Sequence, residues 1–544
     1  MVSSVHFLAS EAGVEILRHG GNAVDAAVAT GFALAVVYPY AGNLGGGGFM
    51  LVHLADGRDV AIDYRETAPA AAARTMYLGP DGQVIKDAST VGWRASGVPG
   101  TVAGFALAFQ KYGSGKVTWA EVIEPARRLA ALGHVVTPNT ARLFHHEALL
   151  LGQFEESKKI YLRGGAFLNA GDHWVQADLA GTLARLQHAG PREFYEGETA
   201  LRIVAASESH GGLISAADLR NYRAVERVPL RGSYRGYDIV AMPPPSSGGI
   251  ALLEILAMLE PRDVGALGPN SAAKQHLFVE AMKRAFRDRA EYPGDPAFVR
   301  VPVAQLLDSA YIRRRMADFS PDRATPAAAV SPGLGAFSAP PPPEKNETTH
   351  FSIVDAAGNA VANTFTLNGA FGSGVTIPGT GILMNNEMDD FTAKPGVPNY
   401  FGLLQGEANA IVPGKRPLSS MTPTFVFKDG QLLFATGSPG GPTIINTVLQ
   451  VITNVIDFRM PVAGAVAAPR IHHQWMPDVI TYERDGLPTE VVAALRAKGH
   501  TVQERVSYEG PYQGDAETVA IDPGTNNRVG AADSRKPDSK AVGY

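Results

Sequence analysis

Apolar and polar positions in the first part of the chain recur mostly with the period of a helix. The predicted helices lie at residues 8–17, 23–37, 119–132, 177–187, 249–259 and 272–289, so the stretch 101–315 is expected to be mostly helical. The uncharged apolar run at 26–37 predicts a buried helix. A hairpin is predicted where Asp56-Gly57 separates two alternating apolar runs at 50–54 and 60–64. The run at 243–249, rich in Pro, Ser and Gly, predicts a turn before a helix.

The pattern changes beyond residue 320. Residues 321–345 are rich in Ala, Pro, Gly and Ser, with four prolines at 340–343, which predicts a surface linker because proline fits neither helix nor central strand. The segments that follow are strand pairs at 351–354 with 360–367 and 424–427 with 432–435, helices at 443–456 and 488–498, and strands around Val519 and Val529. Hairpins interleaved with helices predict an α+β fold with antiparallel sheets covered by helices.

Composition and charge exclude several classes of protein. The net charge of −5, without a long basic run, argues against nucleic acid as the main partner. The absence of cysteine excludes disulfides, thiolate metal sites and a cysteine nucleophile. No apolar run is long enough to predict a membrane span. The glycines at 45–48 lack the ending of a phosphate loop, and His472-His473 lacks helical metal-ligand spacing, so no cofactor and no metal are predicted.

The tripeptide Thr348-Thr349-His350 opens a strand-like run directly after the Pro-rich stretch. A chain cut before Thr348 would begin with a threonine, which carries both a nucleophilic hydroxyl and a general base. That base is its own α-amino group, with an unperturbed pKa of about 7.7 to 8.0. Taken alone, the tripeptide is more often an ordinary strand start.

Further motifs follow one another along the whole chain. They are GGNAVDAA at 20–27, NLGGGGF at 43–49, YRE at 64–66, SGVPGT at 96–101, TTHFS at 348–352, TLN at 366–368, GILMNNEMDDF at 381–391, RPLSSMTPT at 416–424 and TGSPGG at 436–441. In sequence and order they resemble the γ-glutamyltransferase family of N-terminal-nucleophile (Ntn) hydrolases. The resemblance implies a four-layer αββα sandwich with two antiparallel sheets between helices.

The resemblance also implies self-cleavage between Glu347 and Thr348. The products would be a large fragment, 1–347, with its linker at about 321–347, and a small fragment, 348–544, which remain together as one folded heterodimer. Thr348 would then be the catalytic nucleophile and the hydroxyl of Thr366 would assist it. Without the family, Thr366 is explained by the preference of threonine for strands.

Two further groups of site residues are implied by the resemblance. Gly440 and Gly441 would supply backbone N–H groups to the oxyanion; alone, they indicate a turn before a helix. A γ-glutamyl group carries both a carboxylate and an ammonium on its α-carbon. The residues implied to bind them are Arg65, Ser419 and Ser420 for the carboxylate, and Glu387, Asp390 and Asn368 for the ammonium. Alone, these are a surface arginine, turn serines and solvated carboxylates.

The implied activity is hydrolysis or transpeptidation of γ-glutamyl amides such as glutathione, with water, amino acids or dipeptides as acceptors. One alternative is an acylase that removes glutaryl groups from cephalosporins; others are a poly-γ-glutamate-cleaving relative and an unprocessed, inactive binding paralogue. Arg65, Glu387 and Asp390 together favour a substrate with an α-amino acid end, since a glutaryl group lacks the amine. Retention of Thr348, Thr366, Gly440 and Gly441 argues against the inactive paralogue.

Residues 394–402 resemble the lid loop of some family members, with Phe401, preceded by Tyr400, where those members carry a tyrosine. The N-terminus lacks the pattern of a signal peptide. The family resemblance implies a periplasmic or secreted enzyme, whereas a complete N-terminus would imply the cytoplasm.

Overall fold

Two antiparallel sheets form the centre of the protein, whose computed structural model describes residues 1–335, 348–394, 397, 399, 403–506 and 510–544. Their strands are β1 (Val2–Ser4), β2 (Gly47–His53), β3 (Asp59–Asp63), β4 (Val225–Arg227), β5 (Leu230–Tyr234), β6 (Tyr237–Ala241), β7 (Thr349–Val354), β8 (Ala360–Thr366), β9 (Thr424–Lys428), β10 (Gln431–Thr436), β11 (Thr518–Ile521), β12 (Arg528–Ala531) and β13 (Lys540–Val542). The first sheet has the order β13-β1-β7-β8-β2-β3-β4, and the second has the order β12-β11-β10-β9-β6-β5.

Helices cover the outer face of each sheet. On the first sheet they are Phe7–Arg18, Ala23–Val37, Thr101–Tyr112, Trp119–Leu132, Pro138–His146, Ala148–Leu151, Glu155–Tyr161, Ala177–Ala189, Glu193–Glu196, Glu198–Ser209 and Ala216–Asn221. Associated with the second sheet are Gly248–Leu259, Val264–Leu267, Ala272–Glu291, Val303–Leu306, Ser309–Arg315, Thr443–Ile456, Val462–Ala467 and Thr489–Ala497. No helix of the described residues is both long and apolar enough to cross a membrane.

Strand alternation explains the four layers. In β2, Met50 and Val52 pack among the helices of the first layer, whereas Phe49 and Leu51 pack against the second sheet. Each sheet is therefore apolar on both faces, one towards helices and one towards the other sheet. This arrangement confirms the predicted αββα sandwich.

The helix Ala23–Val37 lies inside the first helical layer, and every one of its residues is buried, as the apolar run predicts. The side chains at the start of this helix form a capping box. The side chain of Asn22 accepts hydrogen bonds from the backbone N–H groups of Val24 and Asp25, and the Asp25 carboxylate accepts one from the backbone N–H of Asn22. The hairpin around Asp56-Gly57 is confirmed as the β2–β3 pair.

The stretch 101–315 is mostly helical, as expected, and it also contains β4, β5 and β6, short strands whose polar residues hide the alternation. One sequence prediction needs correction. The first part of the predicted linker is not merely a surface segment. Ala327 and Val330 are buried in the core, and Trp475 Nε1 donates to the Ala327 carbonyl at 2.8 Å. Residues 336–347 lie outside the described residues.

Candidate active site

A cavity of about 290 Å³ opens at the end of β7 and β8. It is lined by Arg65, Arg289, Thr348, Thr366, Asn368, Glu387, Asp390, Leu403, Ser419, Ser420, Met421, Gly441 and Ile444. Nine of the residues singled out from the sequence therefore meet at one place. Gly440 is the chain neighbour of Gly441, and Glu347 falls outside the described residues. The volume is at the lower end of the range for small-molecule sites, which suits a small head group.

Strand pairing brings the two threonines together. β7 begins at Thr349, directly after Thr348, and Thr349 pairs with Phe365 in β8. Thr348 and Thr366 are therefore at the same end of the pair, and both line the cavity. Thr348 is only 5% exposed. The Thr366 hydroxyl accepts a hydrogen bond from the backbone N–H of Asn368 at 2.8 Å, which orients it.

His350, the third residue of the tripeptide, has a structural position. Its Nδ1 is 2.7 Å from Thr364 Oγ1 and its Nε2 is 3.0 Å from Ser352 Oγ. Burial lowers the pKa of His350 to about 3, so the imidazole is neutral at pH 7. The ring packs against Gly437, where an added Cβ would lie 2.3 Å from it. Since His350 does not line the cavity, it is not the base for Thr348.

Gly440 and Gly441 form a tight turn before the helix Thr443–Ile456. Their φ angles are +126° and +53°, and a Cβ at Gly440 would lie 2.3 Å from Thr443 Oγ1. The Gly440 carbonyl accepts from the N–H of Thr443, which starts the helix. Neither glycine N–H donates a hydrogen bond to another described residue. Two unused N–H groups beside a cavity and a helix N-terminus can stabilise an oxyanion.

Charged side chains form a second part of the cavity lining, which we call the charged end. The Arg65 guanidinium, which is fully buried, binds Glu387 through Nη1 and Asp390 through Nη2. It also donates from Nε to the Pro417 carbonyl at 3.3 Å and from Nη2 to the Leu418 carbonyl at 3.1 Å. These bonds hold the guanidinium against two segments, the turn that begins at Glu387 and the loop before Ser419.

Three carboxyl groups surround this one guanidinium. The third belongs to Glu66, whose Oε2 lies 3.9 Å from Arg65 Nη1 and whose two oxygens have no hydrogen-bond partner in the described part of the chain. Burial raises the pKa of Glu66 to about 7. Burial also raises the pKa values of Glu387 and Asp390, although the charge of Arg65 opposes this. The cluster therefore favours an added positive charge such as an ammonium group.

Ser419 and Ser420 are held by the predicted turn at 243–249. The Ser419 N–H donates to the Pro245 carbonyl at 3.0 Å, and the Ser247 N–H donates to the Ser419 carbonyl at 2.8 Å. The Ser420 hydroxyl accepts from Arg289 Nη2 at 2.8 Å. Arg289 is a residue of the site that the sequence analysis missed, because it lies at the end of a helix among other charged residues. Only the fold shows that these charged residues are buried.

Part of the predicted lid segment is described. Asn399 Nδ2 donates to Asp390 Oδ1 at 3.1 Å, and Lys394 Nζ donates to the Gly82 carbonyl at 3.0 Å. In the described part of the segment, Asn399 therefore contacts the charged end of the cavity. Tyr400 and Phe401 lie outside the described residues, so the lid remains a prediction.

One group of possible metal ligands occurs among the described residues, away from the cavity. Its members, His276, Glu280 and His500, have ligand atoms within 4.8 Å of one another. The two imidazoles bind each other at 2.7 Å, and the Glu280 carboxylate is bound by Lys283 at 3.3 Å and Arg284 at 2.8 Å. The carboxylate is thus already balanced by two cations, which makes this a structural network.

The comparisons with known proteins agree with the geometry of the site. The family model described as Gamma-glutamyltranspeptidase matches residues 9–543. This chain belongs to the γ-glutamyltranspeptidase family. It is 47% identical to "Glutathione hydrolase proenzyme" of Escherichia coli (strain K12), over 100% of this chain and 92% of the relative.

Two solved structures of relatives agree with this family assignment. A cephalosporin acylase from Bacillus halodurans superposes with a TM-score of 0.86 and 28% identity, over 99% of this chain and 94% of that one. A Helicobacter pylori gamma-glutamyltranspeptidase chain superposes with a TM-score of 0.60 and 43% identity, over 61% of this chain and 95% of that one. The γ-glutamyltranspeptidase fold thus also accommodates an acylase, and the chemistry of the cavity has to distinguish the two activities.

Proposed function

We propose that this γ-glutamyltranspeptidase family member is a self-processing enzyme that cleaves γ-glutamyl amides such as glutathione. The acyl group passes through an ester on Thr348 to water, an amino acid or a dipeptide. The observation that carries the proposal is one cavity that is lined both by Thr348 and by a buried cluster of Arg65, Glu387 and Asp390. A hydroxyl nucleophile and a zwitterion site in the same cavity match an acyl group that carries both charges at its far end.

Maturation is the first step of the proposal. The Thr348 hydroxyl adds to the carbonyl carbon of Glu347, the peptide C–N bond breaks, and the acyl group moves from nitrogen to oxygen. Water then hydrolyses the ester, which leaves a carboxylate on Glu347 and a free hydroxyl and α-amino group on Thr348. The amino group needed for catalysis exists only after this cut.

Turnover uses the same atoms. The α-amino group of Thr348 takes the hydroxyl proton while the oxygen attacks the γ-carbonyl of the substrate. The N–H groups of Gly440 and Gly441 stabilise the oxyanion, and Thr366 orients the nucleophile. The proton returns to the leaving amine, which departs. Water or an amine acceptor then attacks the ester by the reverse route and frees Thr348.

The charged end determines which acyl groups fit. The substrate ammonium lies against Glu387, Asp390 and the Asn368 side chain, and the substrate carboxylate lies against Arg65, Ser419 and Ser420. Because these groups are buried, an acyl group that lacks one charge leaves its partners unpaired, which costs about 1 to 3 kcal/mol or more.

We further propose that the fragments 1–347 and 348–544 stay together as a heterodimer. The word "proenzyme" in the name of the E. coli relative supports a processed protein. The H. pylori chain is matched over 95% of its own length while covering 61% of this chain, close to the share of residues 1–347. Both sheets contain strands from either side of the cut, so separation would divide each sheet.

The second candidate function is removal of glutaryl groups, which the similarity to a cephalosporin acylase favours. Initial rates on γ-glutamyl anilide and glutaryl anilide separate the two, because a glutaryl group has the carboxylate without the amine. We expect the γ-glutamyl compound to be preferred by about 10²-fold, since the ammonium balances buried carboxylates. Equal rates, or a preference for the glutaryl compound, would contradict the proposal.

A further inference from the structure

Arg289 is a buried cation of the cavity that no predicted role accounts for. It lies in the helix Ala272–Glu291, is 3% exposed and lines the same cavity as Thr348 and Arg65. It belongs to the segment before the proposed cut, as Arg65 does. Placing a guanidinium in a protein interior is costly, and nearby Asp390, whose pKa the charge of Arg289 acts to lower, offsets part of that cost.

The hydrogen bond from Arg289 to Ser420 fixes the direction of the serine proton. A guanidinium can only donate, so Ser420 Oγ is the acceptor in the 2.8 Å bond from Arg289 Nη2. The Ser419 hydroxyl is likewise an acceptor, here from the N–H of Met421 at 3.1 Å. Among the described residues, neither hydroxyl donates its own proton to a partner. Both protons are therefore available to an anion in the cavity.

Arg65 has little capacity left for that anion. Its guanidinium has five N–H donors, and its four hydrogen bonds to Glu387, Asp390, Pro417 and Leu418 occupy most of them. Arg65 cannot form two parallel hydrogen bonds to a carboxylate unless it releases one of these partners. An incoming carboxylate therefore needs a second source of positive charge and of aligned donors.

We propose that Arg289 is a positioning residue that aligns the Ser420 hydroxyl and supplies the second positive charge for the substrate carboxylate. The inference rests on the proposed function. It assigns recognition of the carboxylate to Arg289 and Ser420 as a unit, and leaves the ammonium to Glu387 and Asp390. The site then selects acyl donors by their carboxylate through a residue that does not touch the reacting atoms.

Three anilides test this assignment on the purified, cleaved protein. The γ-glutamyl group has both charges, the glutaryl group has only the carboxylate, and the 4-aminobutanoyl group has only the ammonium. For Arg289→Met we expect KM to rise about 10- to 100-fold for the first two anilides, as for loss of a charged hydrogen bond. KM for 4-aminobutanoyl anilide, and kcat throughout, should change less than about threefold. An anilide with no measurable turnover is assayed as a competitor by its inhibition constant.

Two further variants separate positioning from general damage. Arg289→Lys keeps the positive charge but loses the planar set of guanidinium N–H donors. It should raise KM for the same two anilides by a smaller factor. Arg287→Lys is the matched control, because Arg287 is a buried arginine of the same helix that binds Glu291 at 3.1 Å and does not line the cavity. The effects of Arg289→Met and Ser420→Ala on KM should be less than additive if the two act as a unit.

The outcomes are distinguishable. An equal loss on all three anilides, or no loss on any, with an active wild type overturns the role of Arg289 and leaves the proposed function intact. A wild type that does not turn over γ-glutamyl anilide overturns the proposed function and this inference with it. If Arg289→Met remains uncleaved, Arg289→Lys decides, and a change confined to the two carboxylate-bearing anilides is the supporting result.

Discussion

One part of the cavity lining provides hydroxyls and backbone N–H groups, while the charged end combines full charges with two serine hydroxyls. The first part comes entirely from the segment after the proposed cut. The second combines Arg65 and Arg289 from before the cut with Glu387, Asp390, Ser419 and Ser420 from after it. Bond cleavage and substrate selection are therefore separable here. Changes at the first part should lower kcat for every substrate, whereas changes at the second should alter discrimination between substrates.

The largest effect is expected at Thr348. Thr348→Ala removes the only hydroxyl assigned as nucleophile, so neither the cut nor turnover should occur, a loss of about 10⁴-fold or more. Denaturing electrophoresis and an anilide assay measure the two. Thr349→Val is the matched control, because the Thr349 hydroxyl has no hydrogen-bond partner among the described residues. Cleavage in Thr348→Ala at the wild-type position would contradict the account.

Gly440→Ala should have the next largest effect. The φ of +126° is unfavourable for alanine, and the new Cβ would meet Thr443 Oγ1, so the N–H groups move away from the oxyanion. We expect kcat to fall about 10²- to 10³-fold for all anilides, with little change in KM. Gly430→Ala is the control, since it has a φ of +76° with open space around it. A rise in KM without a fall in kcat would contradict the separate roles assigned to the two parts of the cavity lining.

Asp390→Asn tests the charged end. It removes a charge assigned to the substrate ammonium, so KM for γ-glutamyl anilide should rise about 10²-fold, while glutaryl anilide, which has no amine, is spared. Steady-state kinetics on both compounds measure this. Asp389→Asn is the neighbouring control, because Asp389 binds Ser89 at 2.7 Å and does not line the cavity. An equal loss on both anilides would show a structural role for Asp390.

The smallest effect concerns Glu66 and pH. Its pKa of about 7 lies above the unfolded value of about 4.3. The stabilisation from its bound proton is therefore complete below about pH 4.3 and is lost as pH rises through 7. In Glu66→Gln this loss is absent, so the Tm of the variant relative to wild type should be higher at pH 8 than at pH 5, by a few degrees at most. A constant difference across this range would contradict the shift.

Some residues of this site could be predicted from the sequence and others could not, for physical reasons. Thr348, Gly440 and Gly441 lie in motifs where chain conformation and chemistry coincide, and the fold places them as expected. Arg65, Glu387 and Asp390 were assigned to a substrate, yet they also bind one another. That pairing depends on the contact of distant segments. Arg289 has no local signal, because its helix carries many charges and only the tertiary packing shows which of them face the cavity.

The same distinction applies to the fold. Helices such as Trp119–Leu132 and Thr443–Ile456 have the bounds expected from their apolar periodicity. The strands β4, β5 and β6 were missed because they are short and carry charged residues on their exposed positions. The packing of Ala327 and Val330 was missed because a loop composition does not reveal which of its residues the core accepts.

Whether Thr348 becomes an N-terminal nucleophile can be tested on the wild-type protein itself. The purified wild-type protein is incubated, separated on a denaturing gel, and the N-terminus of the smaller fragment is sequenced. We expect two fragments, the smaller beginning at Thr348, in a preparation that turns over γ-glutamyl anilide. A single uncleaved chain with full activity, or a smaller fragment that begins elsewhere, would contradict it.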